Sequence, residues 1–398
     1  MTLTPLKRVA RANISALSQG TDPEFRFLYC DVSSVERGRL SIPETEITFA
    51  DAPSRARRIA VPGDVAMSTV RPYLKAVGQV PVDAANLVFS TGFTVLSPKQ
   101  NEITSRYLYW AIQSDPFVAE ATRWSNGVSY PAINADDLMR IKLPVPSLDQ
   151  QRRLATYLDV ETAKIDHLIA KQRELIELTT SRLQLWREHA FWGGAVSDPF
   201  RNPPNGWVVR RNRHIFEHVD GRSKTGKEEM LSVSHITGVT PRSMKNVNMF
   251  EAESTVGYKL VAKNELVINT MWAWMGALGV SEYEGIVSPA YDVYRLRALN
   301  EDNPMFFDYL YRTRAYVSLM KANSRGIWES RLRLYPEVFL RLRSLVPSRE
   351  KQDCIVSENK DRTIEAESLI VKCNQSIDLL QERRSALITS AVTGQIEV

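Results

Sequence analysis

Basic side chains cluster at two predicted loops in each half of the sequence. In the first half, the basic and aromatic residues that flank the apolar run 65–70 are Arg55, Arg57, Arg58, Arg71, Tyr73 and Lys75. In the second half, the corresponding set is Arg210, Arg211, Arg213, Arg222, Lys224 and Lys227. Cations in such loops can neutralise DNA phosphates. A solvated charged loop explains either set alone equally well, and the repetition in both halves favours phosphate contacts.

Polar side chains that could hydrogen-bond to base edges lie in short turns of both halves. The first half offers the turn 90–92 and the segment 124–130, which includes Asn126 and Ser129. The second half offers the segment 324–331, where DNA contacts are favoured for two residues, Arg325 and Arg331. Amide, hydroxyl and guanidinium groups all pair with base edges in the DNA grooves.

An aromatic cluster, Trp272-Ala273-Trp274-Met275-Gly276, follows an apolar segment that reads as a strand. Side chains two positions apart on a strand point to the same face of the sheet. Core packing is therefore favoured over base stacking for these two indole rings.

Motifs that would indicate an enzyme are absent from the sequence. It contains no G-x-G-x-x-G, no G-x-x-x-x-G-K-[ST] and no H-E-x-x-H. The segment 202–205, Asn-Pro-Pro-Asn, lacks the aromatic residue of the amino-methyltransferase tetrapeptide and favours a linker turn. His214 and His218 are spaced for one helical face but have no third ligand nearby. The sequence thus predicts neither a catalytic nor a metal site.

The composition is that of a globular protein, with 398 residues, 43% hydrophobic residues and a formal net charge of +5. The three cysteines, Cys30, Cys354 and Cys373, show no C-x-x-C spacing and predict no disulfide framework. No continuous apolar segment has the length of a membrane span or of a signal-peptide core. We therefore expect a cytoplasmic protein that does not enter a membrane.

The second half of the chain repeats the pattern of the first. The segment KLPVPS at 142–147 returns as RSLVPS at 343–348, an offset of 343 − 142 = 201 residues. With the same offset, the turn and apolar run 63–69 match 264–270. A repeat of this length indicates two copies of one structural unit.

Each copy ends in a long predicted helix. From Leu148 to about His189 the chain contains no glycine or proline, and apolar residues recur at steps of three and four. The second copy repeats this stripe, and Gln352 stands where the first copy has Gln151. A stripe of this length needs a facing partner, most economically the other helix of the same chain.

The globular parts mix short β-branched runs with amphipathic helical stretches, so the fold class is α+β. The predicted order is a domain at 1–146, a helix at 147–194, a second domain at 195–346, and a helix with a tail at 347–398. Short connections favour two antiparallel helices that form a coiled coil and separate the domains, related as a pseudo-twofold internal repeat. At 1.5 Å per residue, such helices would span about 60 Å.

Two stretches carry a family resemblance. The segment 143–186 leads from a Pro turn into a helix that contains Lys164-Ile165-Asp166-x-Leu168-Ile169, and the chain ends with Arg384-x-Ala386-Leu387-Ile388-x-x-Ala391-Val392-Thr393-Gly394. Both resemble the specificity subunit of Type I restriction-modification enzymes, and in architecture the resemblance covers essentially the whole chain.

The resemblance implies a non-catalytic DNA reader. Its two target-recognition domains would each read half of an interrupted, asymmetric sequence in double-stranded DNA. The helices would dock methyltransferase subunits, two in number, and restriction subunits would join the complex. S-adenosylmethionine, ATP and Mg²⁺ would belong to those partners, and the chain itself would need no cofactor. The residues expected to dock partners are Leu158, Ile165, Ile169, Trp186, Ile370, Ile377 and Leu387.

Two other classes of function remain open from the sequence. The chain could be a coiled-coil scaffold with two divergent partner-binding domains, or a stand-alone DNA enzyme with an unrecognised site. Sequence-dependent binding to duplex DNA would separate the first hypothesis from the scaffold, and methylation or cleavage without added subunits would favour the enzyme.

Overall fold

The computed structural model describes residues 3–36, 38–194, 198–244, 254–326 and 332–397. The chain divides into two compact units. Unit 1 is formed from residues 1–173 and 373–398, and unit 2 from residues 174–372. Unit 1 is therefore built from both ends of the chain, whereas unit 2 is one continuous segment.

The first half of the chain consists mainly of short strands. They are β1 (Leu3–Pro5), β2 (Ala10–Ala12), β3 (Ser15–Ala16), β4 (Arg26–Cys30), β5 (Val35–Glu36), β6 (Arg39–Leu40), β7 (Ile47–Thr48), β8 (Ala56–Ala60), β9 (Val65–Ser68), β10 (Val77–Gln79), β11 (Leu87–Ser90), β12 (Phe93–Pro98) and β13 (Lys142–Pro144). The helices are α1 (Leu6–Val9), α2 (Ser105–Ala111), α3 (Asp115–Arg123), α4 (Ala135–Leu138) and the long α5 (Leu148–Phe191).

The strands of the first half form two main sheets, with strand orders β10-β9-β12-β2 and β3-β8-β11-β4-β7. Within these sheets, β11 pairs in parallel with β4 and the other recorded pairings are antiparallel. Two further pairs, β1 with β13 and β5 with β6, complete the recorded pairing. The sheets position the loops at the ends of β9 and β11.

In its described residues, the second half repeats this plan with fewer strands. They are β14 (Trp207–Arg211), β15 (Phe216–Val219), β16 (Leu231–Ser234), β17 (Gly238–Pro241), β18 (Lys259–Val261), β19 (Leu266–Asn269), β20 (Leu278–Val280), β21 (Gly285–Val287), β22 (Tyr291–Leu296) and β23 (Arg343–Pro347). The helices are α6 (Asn212–Ile215), α7 (Pro304–Tyr311), α8 (Arg314–Asn323), α9 (Pro336–Arg341) and the long α10 (Arg349–Thr393). The central sheet has the order β15-β22-β19-β20, and β14 pairs with β23.

The predicted repeat is present in the secondary structure. Strands β9 and β19 lie 201 positions apart, as do β10 and β20 (77 and 278 at their first residues). Residues Gly63 and Asn264, which precede the matched strands, both have positive φ, +87° and +70°. Glycine and asparagine adopt this left-handed conformation most readily, so the same turn is encoded twice by different residues.

The start of each long helix is held by an equivalent buried glutamine. Gln151 Oε1 accepts a hydrogen bond from Thr104 N at 2.8 Å, and its Nε2 donates to Pro146 O at 3.0 Å. Gln352 Oε1 accepts from Asn303 N at 2.8 Å, and its Nε2 donates to the carbonyl of the matching proline at 3.0 Å. In each unit this glutamine joins the long helix to the short helix that follows the sheet.

The long helices pack as antiparallel pairs inside each unit. In unit 1, Leu154 and Leu158 near the start of α5 share a core with Ile388 and Val392 near the end of α10. In unit 2, Arg187 near the end of α5 donates hydrogen bonds of 2.8 Å to Asn359 and to a threonine one turn further along α10. The predicted α+β class with two long helices is confirmed.

The boundary between the two compact units crosses both long helices near their middles. It does not coincide with the predicted four-part division of the chain, which stays a prediction. Within the described parts of the chain, no helix is both long enough and apolar enough to span a membrane.

Candidate nucleic-acid interface

In unit 1, backbone hydrogen bonds gather three loops at the end of β9. Thr69 N and its Oγ1 both donate to Gly92 O, at 2.8 and 2.9 Å. Thr69 O accepts from Ile133 N at 3.0 Å, and Thr91 N donates to Arg55 O at 2.8 Å. The turn 90–92 and the cation Arg55, which the sequence placed in separate loops, therefore lie at one edge of the unit.

The loop that carries Asn126 and Ser129 belongs to the same edge. It is closed by two reciprocal backbone bonds of 2.9 Å between Asn126 and Ala132. Arg71 N donates to Pro131 O at 2.7 Å, and an isolated bridge joins Val70 to Ala132. Asn126 and Ser129 are exposed on this closed loop, as a base-reading role requires.

Arg71 holds the loop rather than extending from it. Its Nη2 donates to Ser129 O at 3.0 Å, and its guanidinium lies over the Tyr130 ring at 4.4 Å. Its backbone is left-handed, with φ of +50°, an uncommon conformation for a side chain of this size. The phosphate contact predicted for Arg71 stays a prediction, and the structure gives this residue a positioning role.

The sequence reasoning missed the exposed apolar side chains of this loop. Val128 is fully exposed and Tyr130 is 69% exposed. No local pattern marks them, because their exposure depends on the closure between Asn126 and Ala132.

Lys75 is not available as the sequence predicted. Its Nζ is paired with Asp115 Oδ1 and with Ser385 Oγ of α10. Ser385 Oγ also donates to Asp115 Oδ1 at 2.8 Å, and Asp115 N donates to Thr389 Oγ1 at 2.9 Å. Burial raises the pKa of Asp115, but its hydrogen bonds with Lys75 and Ser385 outweigh that effect and lower it. Lys75 therefore fastens the start of α3 to α10.

The other predicted contacts of the first half differ in their surroundings. Tyr73 is 48% exposed, in the turn that follows β9. Arg57 is half-buried on β8, where its Nη1 donates to Ala56 O at 3.1 Å and its guanidinium lies over the Phe49 ring at 5.0 Å. Arg55 is exposed and precedes that strand. Of the three, Arg55 and Tyr73 have the exposure that a DNA contact requires.

Unit 2 builds a similar edge with three matching sets of bonds. Thr270 Oγ1 donates to Ala290 O at 2.8 Å, and Thr270 O accepts from Leu334 N at 3.0 Å. Two reciprocal backbone bonds of 2.9 Å join Arg325 to Arg333, as Asn126 is joined to Ala132 in unit 1. Arg325 is exposed on this edge, whereas Arg331 lies outside the described residues.

Trp272 occupies the position that corresponds to Arg71, and core packing is the wrong interpretation for it. Strand β19 ends at Asn269, and Trp274 lies in the 3-10 turn 273–275 rather than on a strand. Trp272 is 50% exposed. Its ring stacks on that of Trp274, with centroids 6.2 Å apart and planes 15° from parallel. Gly276 ends the turn with φ of +83°.

The basic loop between β15 and β16 carries the predicted residues Arg222, Lys224 and Lys227, all of them exposed. Arg222 is partly committed, because it pairs with Asp220 at 2.9 Å and donates to Gly257 O at 3.1 Å. Lys224 and Lys227 present their side chains to solvent, as phosphate contacts require.

Beside this loop lies a buried ion pair. Lys259 Nζ is 2.8 Å from Asp292 Oδ1, and His218 Nε2 is 3.2 Å from the same oxygen. His218 lies on β15 and His214 on the short helix before it, so the two histidines do not share a helical face. Among the described residues, no cluster of three His, Cys, Asp or Glu side chains could hold a metal ion.

The predicted docking residues fall into two groups. Leu158, Ile165, Ile169 and Ile377 are buried within the chain, so they pack the helix pair and offer almost no surface to another subunit. The half-buried residues are Trp186, Ile370 and Leu387, and docking through them stays a prediction.

The buried thiol Cys30 has no reactive character. Burial and the adjacent Asp31 carboxylate raise its pKa to about 12, so the thiol stays protonated at neutral pH.

Residues 40–178 match the family model of the Type I restriction modification DNA specificity domain. The resemblance predicted from the sequence is confirmed. Specificity subunits are the non-catalytic DNA-recognition components of Type I restriction-modification systems.

Two curated relatives are specificity subunits of Type I restriction enzymes. The MjaIX subunit of Methanocaldococcus jannaschii is 24% identical over 210 residues, which cover 50% of this chain and 46% of the relative. The HindI subunit of Haemophilus influenzae is 22% identical over 183 residues, which cover 44% of this chain and 36% of the relative. The aligned segments thus span less than half of either relative.

Solved structures share the fold over nearly the full length. The HsdS subunit from Thermoanaerobacter tengcongensis matches 99% of this chain and 97% of its own, with 19% identity and a TM-score of 0.53. A chain from a study of the assembly and conformational transition of the type I R-M system matches 99% of this chain and 98% of its own, with 21% identity and a TM-score of 0.70.

Proposed function

We propose that the chain is the DNA sequence-specificity subunit of a Type I restriction-modification complex and that each unit reads one half of an interrupted, asymmetric DNA sequence. The observation that carries the proposal is the duplicated edge. The hydroxyl and carbonyl groups of Thr69 and Thr270 make matching bonds in the two units, but the side chains presented beside them differ, Arg71 in one and Trp272 in the other. One scaffold with two different surfaces suits two different half-sites.

Phosphate contacts in this proposal come from exposed cations at the two edges. In unit 1, Arg55 lies next to the turn 90–92. In unit 2, Lys224 and Lys227 lie on the loop after β15. These contacts would fix the register on the duplex, whereas polar groups such as Asn126 would discriminate bases.

Partner subunits would dock on the outer faces of the long helices. In unit 2, α5 exposes Leu175, Leu178 and Leu185, the last two at 60% and 68%. On α10, Ile364 and Val371 are 56% and 53% exposed. Spacings of three and seven residues place these side chains in stripes, as helix–helix docking requires. We propose two methyltransferase subunits and restriction subunits as the partners.

The chemistry in this proposal resides in the partners. S-adenosylmethionine would bind the methyltransferase subunits, and ATP and Mg²⁺ the restriction subunits. The chain itself would contribute recognition and spacing, and it would act in the cytoplasm, where the DNA is.

The test is a genome-wide map of methylated bases in strains with and without the gene. We expect a two-part motif with an unspecified gap to be methylated only when the gene is present. Identical methylation in the two strains, together with no sequence-dependent duplex binding by the purified chain, would overturn the proposal and favour a coiled-coil scaffold.

A further inference from the structure

Trp272 is exposed in a way that the core of unit 2 does not explain. Half of its surface is accessible, although a residue of this size normally buries most of its ring. One face is supported by Trp274, which is itself held by a 3.0 Å bond from its Nε1 to Met271 O. The turn therefore presents a supported indole ring to the outside.

A cation lies over the partner ring of this stacked pair. Lys321 Nζ of α8 lies 5.6 Å from the centre of the Trp274 ring. Arg325 and Arg333, both exposed, form the rung beside Leu334, whose N–H bonds to Thr270 O. An aromatic surface among cations suits a polyanion that also has flat apolar faces, which describes a nucleic acid.

The repeat assigns the ring to the interface side of the unit. Trp272 follows Thr270 by two residues, as Arg71 follows Thr69 in unit 1. In unit 1 that position supports the loop with Asn126, whereas the ring in unit 2 stacks on its own turn and leaves an edge to solvent.

We propose that Trp272 contacts DNA directly, packing its exposed indole surface against a nucleobase or deoxyribose of the half-site read by unit 2. The inference rests on the proposed function and deepens it by naming a specificity residue. Aromatic and apolar side chains that reach into a DNA groove pack on or between bases, and they favour base-pair steps that deform easily. Trp272 would therefore read the stacking and deformability of its site more than its hydrogen-bonding pattern.

The experiment measures binding of the full chain to a DNA duplex that carries the two-part motif found by the methylation map, by fluorescence anisotropy over a range of salt concentrations. The variants are Trp272→Ala and Trp272→Phe. The matched control is Leu299→Ala, which removes a side chain of similar exposure, 53%, beyond the opposite end of β22. Thermal unfolding of each variant shows that the fold is retained.

We expect Trp272→Ala to weaken binding by about fivefold to a hundredfold, the effect of losing one aromatic–base contact. The slope of affinity against salt should stay unchanged, because no charge is removed. Trp272→Phe should retain most of the affinity and lose part of the tryptophan quenching on DNA binding, and the control should bind as the wild type does.

Two results would overturn the inference. The first is that Trp272→Ala binds the DNA duplex with the same affinity as the wild type. This result would overturn the inference even if the variant no longer assembled with a partner protein. Absence of any DNA binding by the wild type would overturn this inference, and together with identical methylation in the two strains it would also overturn the proposed function.

Discussion

Single substitutions of Lys75 and of Arg55 should distinguish a cation that stabilises the fold from one that binds DNA. The Lys75 ammonium is paired with Asp115 and Ser385, and its side chain is 24% exposed. Arg55 is exposed and stands beside the turn 90–92. We therefore expect Lys75→Met to affect stability and Arg55→Ala to affect DNA binding.

The magnitudes follow from the two environments. Each phosphate contact contributes about 0.9 to the slope of log affinity against log salt, so Arg55→Ala should flatten the slope by about 0.9. Lys75→Met should leave the slope unchanged. It removes a partly exposed ion pair, typically worth about 0.5–1 kcal/mol, and should lower Tm by about 1–3 °C.

Anisotropy titrations with a labelled DNA duplex, from about 50 to 200 mM salt, measure the slopes, and calorimetry measures Tm. Over that range, a loss of 0.9 in slope makes the affinity about 3.5-fold less sensitive to salt. The reasoning fails if Lys75→Met flattens the slope at unchanged Tm, or if Arg55→Ala leaves the slope as in the wild type.

Three further predictions concern the charge, the buried polar contacts and the outer helix face. The lowered pKa of Asp115 means that its ionised form stabilises the fold above the unfolded pKa of about 3.9, and that this stability is lost as pH falls through the folded pKa. Asp115→Asn should therefore lower Tm at pH 7, and the loss should shrink as pH falls below about 4; an equal loss at pH 7 and at pH 3 would contradict this. Gln151→Ala should lower the free energy of unfolding of unit 1 by about 3 kcal/mol, because it leaves buried backbone groups without hydrogen-bond partners. Hydrogen exchange should accelerate around Thr104 but not in unit 2. Leu178→Glu with Leu185→Glu should block co-purification with methyltransferase subunits and leave DNA affinity intact, whereas the nearly isosteric Gln184→Glu should assemble normally; assembly by the double variant would refute docking on this face.

The long helices could be predicted from sequence because their signal is local and repeated. Absence of glycine and proline from Leu148 onward, with apolar residues at helical spacing, predicted a helix to about His189, and α5 ends at Phe191. The repeat likewise located matched strands, since the turn before each is marked by Gly63 or Asn264 at the same offset.

Contacts between distant residues could not be predicted in this way. Lys75 meets Asp115 across 40 positions and Ser385 across 310, so its sequence neighbourhood suggested only a basic loop. The interpretation of Trp272 was wrong because β19 ends at Asn269, three residues earlier than a continuous strand would require. The residue types near the end of a strand do not reveal where its backbone pairing with the neighbouring strands stops.

The N-terminal part of a protein usually folds first during synthesis. Unit 1 does not fit this expectation, because part of its core is synthesised after unit 2. Unit 1 needs Ile388, Ala391 and Val392, which are buried in its core with Leu154 and Leu158. At about 5–20 residues per second, the interval between residues 173 and 398 takes about 10–45 s.

During that interval unit 2, at residues 174–372, is delivered whole, whereas the apolar start of α5 still lacks its partner helix. A nascent chain that stops short of Ile388 would leave Leu154 and Leu158 uncovered, and chaperones and proteases recognise such surfaces. Closure of unit 1 therefore waits for the segment that carries Ile388 and Val392, so only copies translated past this segment acquire its closed core.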